Sequence, residues 1–73
     1  MLLRLEVRRR VEAGLEELSP KERAAFILRH FEGMSIEEIG GLLDLDISAA
    51  KHSVFRAVRK MRRVLAPMMS QTQ

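Results

Sequence analysis

The chain has 73 residues, with 13 Lys and Arg against 10 Asp and Glu, a net charge of +3, and no cysteine. That length admits one small domain, and the lack of cysteine excludes disulfides and thiolate metal sites and fits a reducing compartment. No apolar run approaches the roughly 20 residues of a membrane span, and the opening Met-Leu-Leu-Arg-Leu-Glu-Val-Arg lacks the unbroken apolar stretch of a signal peptide, so the expectation is a cytoplasmic protein with no membrane partner.

The first predicted helix runs from Leu2 to Leu18. Leu3, Val7, Val11, Leu15 and Leu18 recur at spacings of three and four and share one face. Gly14 falls on that face, where it would let another helix come close, while Leu2 and Leu5 fall off it. Ser19-Pro20-Lys21-Glu22 then stops one helix and starts the next. Ser19 caps, Pro20 suits the first helical position, and Glu22 completes a capping box. The second helix is predicted to reach Glu32, with Ala24, Ile27, Leu28 and Phe31 inward and Gly33 as its stop. Ser35 and Glu38 form a second capping box. It opens a short helix with Ile36, Ile39, Leu42 and Leu43 inward.

Asp44-Leu45-Asp46 reads as a tight turn. Asp44 stands where the backbone needs a left-handed conformation, which Asp tolerates better than most residues. Leu45 is expected to plug the core, and Asp46 to cap the last helix, which runs to Ala66 before Pro67. The predicted fold is all-α: a tri-helical core with a helix-turn-helix, plus an N-terminal helix. The domain is expected over residues 1–67, with residues 68–73 as a frayed tail.

Charge is unevenly divided. Residues 1–46 hold seven cations against ten acids, a net of −3; residues 47–73 hold six cations and no acid, a net of +6. At 100° per residue, Ile47, Ala50, Val54, Ala57, Val58, Met61, Val64 and Leu65 fall in one apolar arc. Ser48, His52, Arg56, Arg59 and Arg63 centre the opposite arc. A helix needing only solubility would mix signs, because like charges repel along it. A short helix, a tight turn and a long basic helix form the unit that lays its second helix into the DNA major groove. The residues nearest the start of such a helix reach deepest, which here are Ser48, Ala49, His52, Phe55 and Arg56. Arg56 has the geometry to bridge guanine O6 and N7. Phe55 either touches a thymine methyl or folds back onto the protein. Lys51, on the flank, suits a phosphate, and Arg59, Lys60, Arg62 and Arg63 lie further along, where they meet the DNA backbone or nothing.

Several segments together resemble a known family. Leu18-Ser19-Pro20-Lys21-Glu22-Arg23, Leu28-Arg29-His30-Phe31-Glu32-Gly33-Met34-Ser35, Glu37-Glu38-Ile39-Gly40, Lys51 and Phe55-Arg56-Ala57 are similar to region 4 of sigma-70 family factors, nearest to the extracytoplasmic-function group. The likeness runs ungapped from Leu18 to Arg62. It implies a transcription initiation domain that binds the promoter −35 element through the last helix. It also implies docking on the β-subunit flap of RNA polymerase, and sequestration by anti-sigma factors as is common in the family. By this resemblance the positions of Lys51, His52, Phe55 and Arg56 face DNA, that of Arg29 meets a phosphate, and that of Ser35 lies at a helix start able to hold one.

The chain departs from the family pattern at three places: Asp44 stands where Gly is usual, Ala49 where Thr is, and Ser53 where Arg is. These changes predict weaker backbone contacts. The upstream region that binds the −10 element in the family has no counterpart here, so the expectation is a fragment of a longer factor in preference to a stand-alone relative. A monomer within a larger assembly is expected.

Two rival readings have their own observations. A LuxR-type response-regulator domain shares the Ser-Pro-Lys-Glu-Arg opening and the Lys51 position, but not the Arg-His-Phe-Glu-Gly segment. A protein-interaction module with weakened DNA contacts would account for Ala49, Ser53, Asp44 and the off-stripe Leu2, Leu5 and Phe26. Catalysis finds no support: His30 and His52 lie on different helices, and no serine has an evident base. No metal, cofactor or enzymatic activity is expected.

Overall fold

The computed structural model describes the backbone of residues 2–71 and the side chains of residues 4–66. The expectations placed on Leu2 and Leu3, and on the tail at Thr72 and Gln73, lie outside the described residues. Four helices are present: α1 (Leu2–Glu16), α2 (Pro20–His30), α3 (Ile36–Leu43) and α4 (Ile47–Gln71), with no strand among the described residues.

Local chemistry sets the boundaries. Ser19 Oγ accepts from Glu22 N at 3.2 Å while Glu22 Oε1 accepts from Ser19 N at 3.0 Å. Ser35 and Glu38 repeat the exchange at 3.1 and 2.9 Å. Both boxes satisfy donors that a helix start leaves orphaned. At the end of α1, Gly14 O accepts from Glu17 N at 3.0 Å, and Leu15 O accepts both from Leu18 N at 3.2 Å and from Arg23 Nε at 2.9 Å. After α2, Gly33 turns the chain with φ 71°, and Met34 N closes on Leu28 O at 3.0 Å.

Helix α4 is the shared wall, packing against α1, α2 and α3. Its first half meets α2 and α3 through Ala25, Ile39, Ala50 and Val54, closed over by Leu28, Met34, Ile36, Leu43, Leu45 and Val58. Its second half meets α1 and α2 through Leu18, Ala57 and Met61, flanked by Val11, Leu15 and Phe26. Apart from Ile39, the fully buried apolar residues among those described are alanines: Ala25, Ala50 and Ala57. A Cβ on Gly14 would stand 2.8 Å from Met61 Sδ, and one on Gly40 2.7 Å from Leu45 O.

That close approach corrects several sequence expectations. Phe31 (61%), Leu42 (62%) and Ile47 (55%) are exposed, as is Val7. Ala25 and Glu22 line the buried face of α2 in place of Phe31. Phe26, expected off the packed face, lies on the second cluster. Where helix axes run this close, alanine and glycine fit between them and larger side chains move to the rim. Helix α1 also ends two residues early, leaving Leu18 buried in the turn beyond it. Helix α4 does not stop at Ala66: its backbone stays helical through Pro67 to Gln71. Proline removes the one N–H that would reach Arg63 O, and at an exposed residue solvent can take that carbonyl.

Candidate nucleic-acid interface

The turn fixes how α4 is presented. Asp44 adopts φ 58°, ψ 47°, the left-handed conformation expected of it. Its N–H and that of Leu45, at 2.8 Å, both donate to Gly40 O. Leu45 packs against the core cluster of α2, α3 and α4. Asp46 Oδ1 accepts from Ala49 N at 2.7 Å and its carbonyl from Ala50 N at 2.9 Å, so it caps α4 as expected.

Beyond that cap the helix is two-sided. Ala50, Val54, Ala57 and Met61 are buried, whereas Ser48, Lys51, His52, Phe55, Arg56, Arg59, Arg62 and Arg63 are exposed. Ala49 and Ser53 are half-buried at the edge. The arginine face therefore points to solvent, opposite the packed face. Phe55 is 60% exposed; of its two readings, the one that folds it away is not what the structure adopts. It stands at the rim of a shallow groove it shares with His30, Ile36, Lys51, Val58 and Arg62. On the other flank of α4 an open groove is lined by Ser19, Lys21, Asp46, His52, Ser53 and Arg56.

Arg29 and Ser35 come together. Arg29 Nη1 donates to Met34 O at 2.9 Å, which holds an exposed guanidinium against the residue before Ser35. Its other N–H groups remain available as donors. The start of α3 is already served in part by its own acid: Glu38 is held below the ordinary glutamate pKa by the hydrogen bond from Ser35 N and then by the Ser35 hydroxyl.

Lys60, expected to meet the DNA backbone or nothing, has its Nζ 2.8 Å from Glu22 Oε1 on α2. Among the described residues Glu22 is the one buried charged side chain, 6% exposed. The Lys60 hydrogen bond, and next the Ser19 backbone N–H, push its pKa down against the opposing effect of burial. Sequence reasoning assigns Glu22 only its capping role. The available signal is that a capping-box carboxylate has spare acceptor sites, on a chain whose last helix has six cations and no acid.

No helix among the described residues is long and apolar enough to cross a membrane.

Comparison with known proteins gives a consistent picture. The sequence profile of Sigma-70, region 4 matches residues 8–61, well over half of the chain. The ECF RNA polymerase sigma factor SigE of Mycolicibacterium smegmatis is 36% identical over 62 residues, covering 85% of this chain and 24% of that protein. The RNA polymerase sigma-E factor of Streptomyces coelicolor is 37% identical over 51 residues, covering 70% of this chain and 29% of that protein. The RNA polymerase sigma factor CarQ of Myxococcus xanthus is 36% identical over 62 residues, covering 85% and 36%. The chain spans about a quarter to a third of the length of these relatives.

Proposed function

The chain belongs to the sigma-70 region 4 family, with extracytoplasmic-function sigma factors as its homologues, and from that premise we propose that it binds the promoter −35 element through α4 and docks on the β-subunit flap of RNA polymerase. The family is one of non-enzymatic transcription factors. The observation that carries the DNA reading is the exposed cationic face of α4, set opposite its packed face. In this reading Ser48, Ala49, His52, Phe55 and Arg56 meet base edges. Arg29, Ser35, Lys51, Arg59 and Arg63 meet phosphates on either side of the groove. The LuxR-type reading falls with the family assignment.

A second reading has its own support. Leu42, Ile47 and Phe31 are exposed apolar side chains, and Asp44 and Asp46 put negative charge beside the DNA-facing end of α4. Both features suit a module that works mainly by touching polymerase or a regulator.

Titrating duplex binding against salt separates the two. Four phosphate-directed cations (Arg29, Lys51, Arg59 and Arg63) predict a slope of log affinity against log salt of about −3 to −4. A flat titration, or no binding, leaves the interaction module. Arg56→Ala supplies the base-reading test: an expected loss of about 1–3 kcal/mol, with relaxed preference at one position. Unchanged affinity and preference would remove α4 as the reading element.

A further inference from the structure

Glu22, Lys60 and the arginines around them form a cluster that promoter reading does not by itself call for. One groove is lined by Glu22, Arg56, Arg59, Lys60 and Arg63: a single carboxylate beneath four cations. Of these, Lys60 is within ion-pair distance, at 2.8 Å. Lys60 lies one turn beyond Arg56 on the same side of α4, since residues four apart are surface neighbours. Without Glu22 its flexible stem would extend along the flank that Arg56 and Arg63 occupy. Instead its ammonium is drawn toward α2, leaving Lys60 half-buried beside exposed arginines. Glu22 cannot readily swing away to release it, because the same Oε1 also accepts from Ser19 N at 3.0 Å, and the residue is 6% exposed.

We propose that Glu22 is a positioning residue that withholds Lys60 from the DNA backbone, an inference that rests on the DNA-binding reading above. One of the six cations of α4 is then kept from the phosphates by the protein's own carboxylate. The consequence is a weaker sequence-independent grip, so that a larger share of binding comes from the base-reading residues near the start of the helix. The groups facing Lys60 come from two elements, Glu22 from α2 and Arg56, Arg59 and Arg63 from its own helix.

Three variants and one probe, a duplex of arbitrary sequence, test this. Lys60→Met keeps an unbranched stem and drops the charge. Glu22→Gln keeps an acceptor for the capping box, in which Gln is as acceptable as Glu, and releases Lys60. The double variant has neither charge. If Lys60 is withheld, Lys60→Met binds with the salt slope of the native protein. Glu22→Gln binds more tightly at low salt with a slope steeper by about 0.9, so that it loses roughly 3- to 4-fold more affinity between 50 and 200 mM salt. The double variant returns to the native slope. A native-like slope for Glu22→Gln, or a slope shallower by about 0.9 for Lys60→Met, overturns the proposal while leaving DNA binding intact. Should Glu22→Gln not fold, as circular dichroism would report, Lys60→Met decides alone. Absence of salt-dependent binding in every protein, native included, overturns the DNA-binding reading and this inference with it.

Discussion

Gly40 and Gly41 are neighbours in one helix, and the structure predicts that alanine at the two positions acts in opposite directions. At Gly41 an added Cβ meets nothing within 4 Å. The substitution then acts only through backbone entropy and helix propensity, a gain of about 0.5–1 kcal/mol. At Gly40 the added Cβ would stand 2.7 Å from Leu45 O, with Leu45 C at 3.7 Å and Ala50 Cβ at 3.8 Å. The obstacle is backbone, and that backbone is the turn, where Leu45 N and Asp44 N already bond to Gly40 O. Relief requires the turn to move by about half an ångström, at an overpacking cost of about 1–3 kcal/mol. Less the same propensity gain, about 1–2 kcal/mol of destabilisation remains. For a domain of this size each kcal/mol moves the melting temperature by about 4–8 °C. Thermal unfolding followed by far-ultraviolet circular dichroism should show Gly41→Ala rising by about 3–6 °C and Gly40→Ala falling by about 5–15 °C. Shifts of the same sign in the two variants would refute the close contact between α3 and the turn.

Three other outcomes follow from the same geometry. Asp46→Asn keeps a good N-cap acceptor for Ala49 N and removes a negative charge beside the DNA-facing end of α4; denaturant midpoints should hold while duplex affinity rises, and Asp46→Ala should lose about 1 kcal/mol of stability. Because the Glu22 pKa is lowered in the folded state, its stabilisation is complete above the ordinary glutamate range and is lost as pH falls through the folded value; urea unfolding over an acid series should show the native protein losing its advantage over Glu22→Gln there. Phe55→Ala, at a 60% exposed position, should leave stability within about 0.5 kcal/mol yet weaken promoter binding, and a large drop in melting temperature would place Phe55 in the fold.

The legible features were those decided by local chemistry. Both capping boxes, the left-handed Asp44, the plug at Leu45 and the cap at Asp46 depend on residues within a few positions of one another, so a single chain reading reaches them. The exposure of arginines on α4 was legible for a related reason, since its period and charge agree along the whole helix. What periodicity cannot supply is the distance between helices. It centres the stripe of α2 on Ala24, Ile27, Leu28 and Phe31, and the packing of α2 against α4 instead buries Ala25, about 120° round the helix from Phe31. The same limit misplaced Leu42 and Ile47 at the two sides of the turn: α3 has eight residues and too few neighbours to cover its whole apolar arc. The Glu22–Lys60 pair, 38 residues apart, belongs to the same class of fact, visible only once α2 and α4 are laid together.

Those close approaches also explain how so small a core holds a reading surface steady. Helix α4 is met at two glycines: Gly40 of α3 packs on the turn before α4 and on Ala50, and Gly14 of α1 packs on Met61 and Val64. Eleven residues separate the two contacts in sequence, about 16 Å along the helix. His52, Phe55 and Arg56 lie between them, so the segment proposed to read bases is held at both ends. The two contacts differ in stiffness. At Gly40 the nearest atom is the Leu45 carbonyl of the turn that leads into α4, with Ala50 Cβ of α4 itself at 3.8 Å, whereas at Gly14 the nearest atoms are Sδ and Cε of Met61, the far end of an adaptable side chain. The start of α4, proposed to enter the groove, is therefore the more rigidly placed. The end toward α1 can adjust by a rotamer change of Met61 without moving the residues proposed to meet the bases.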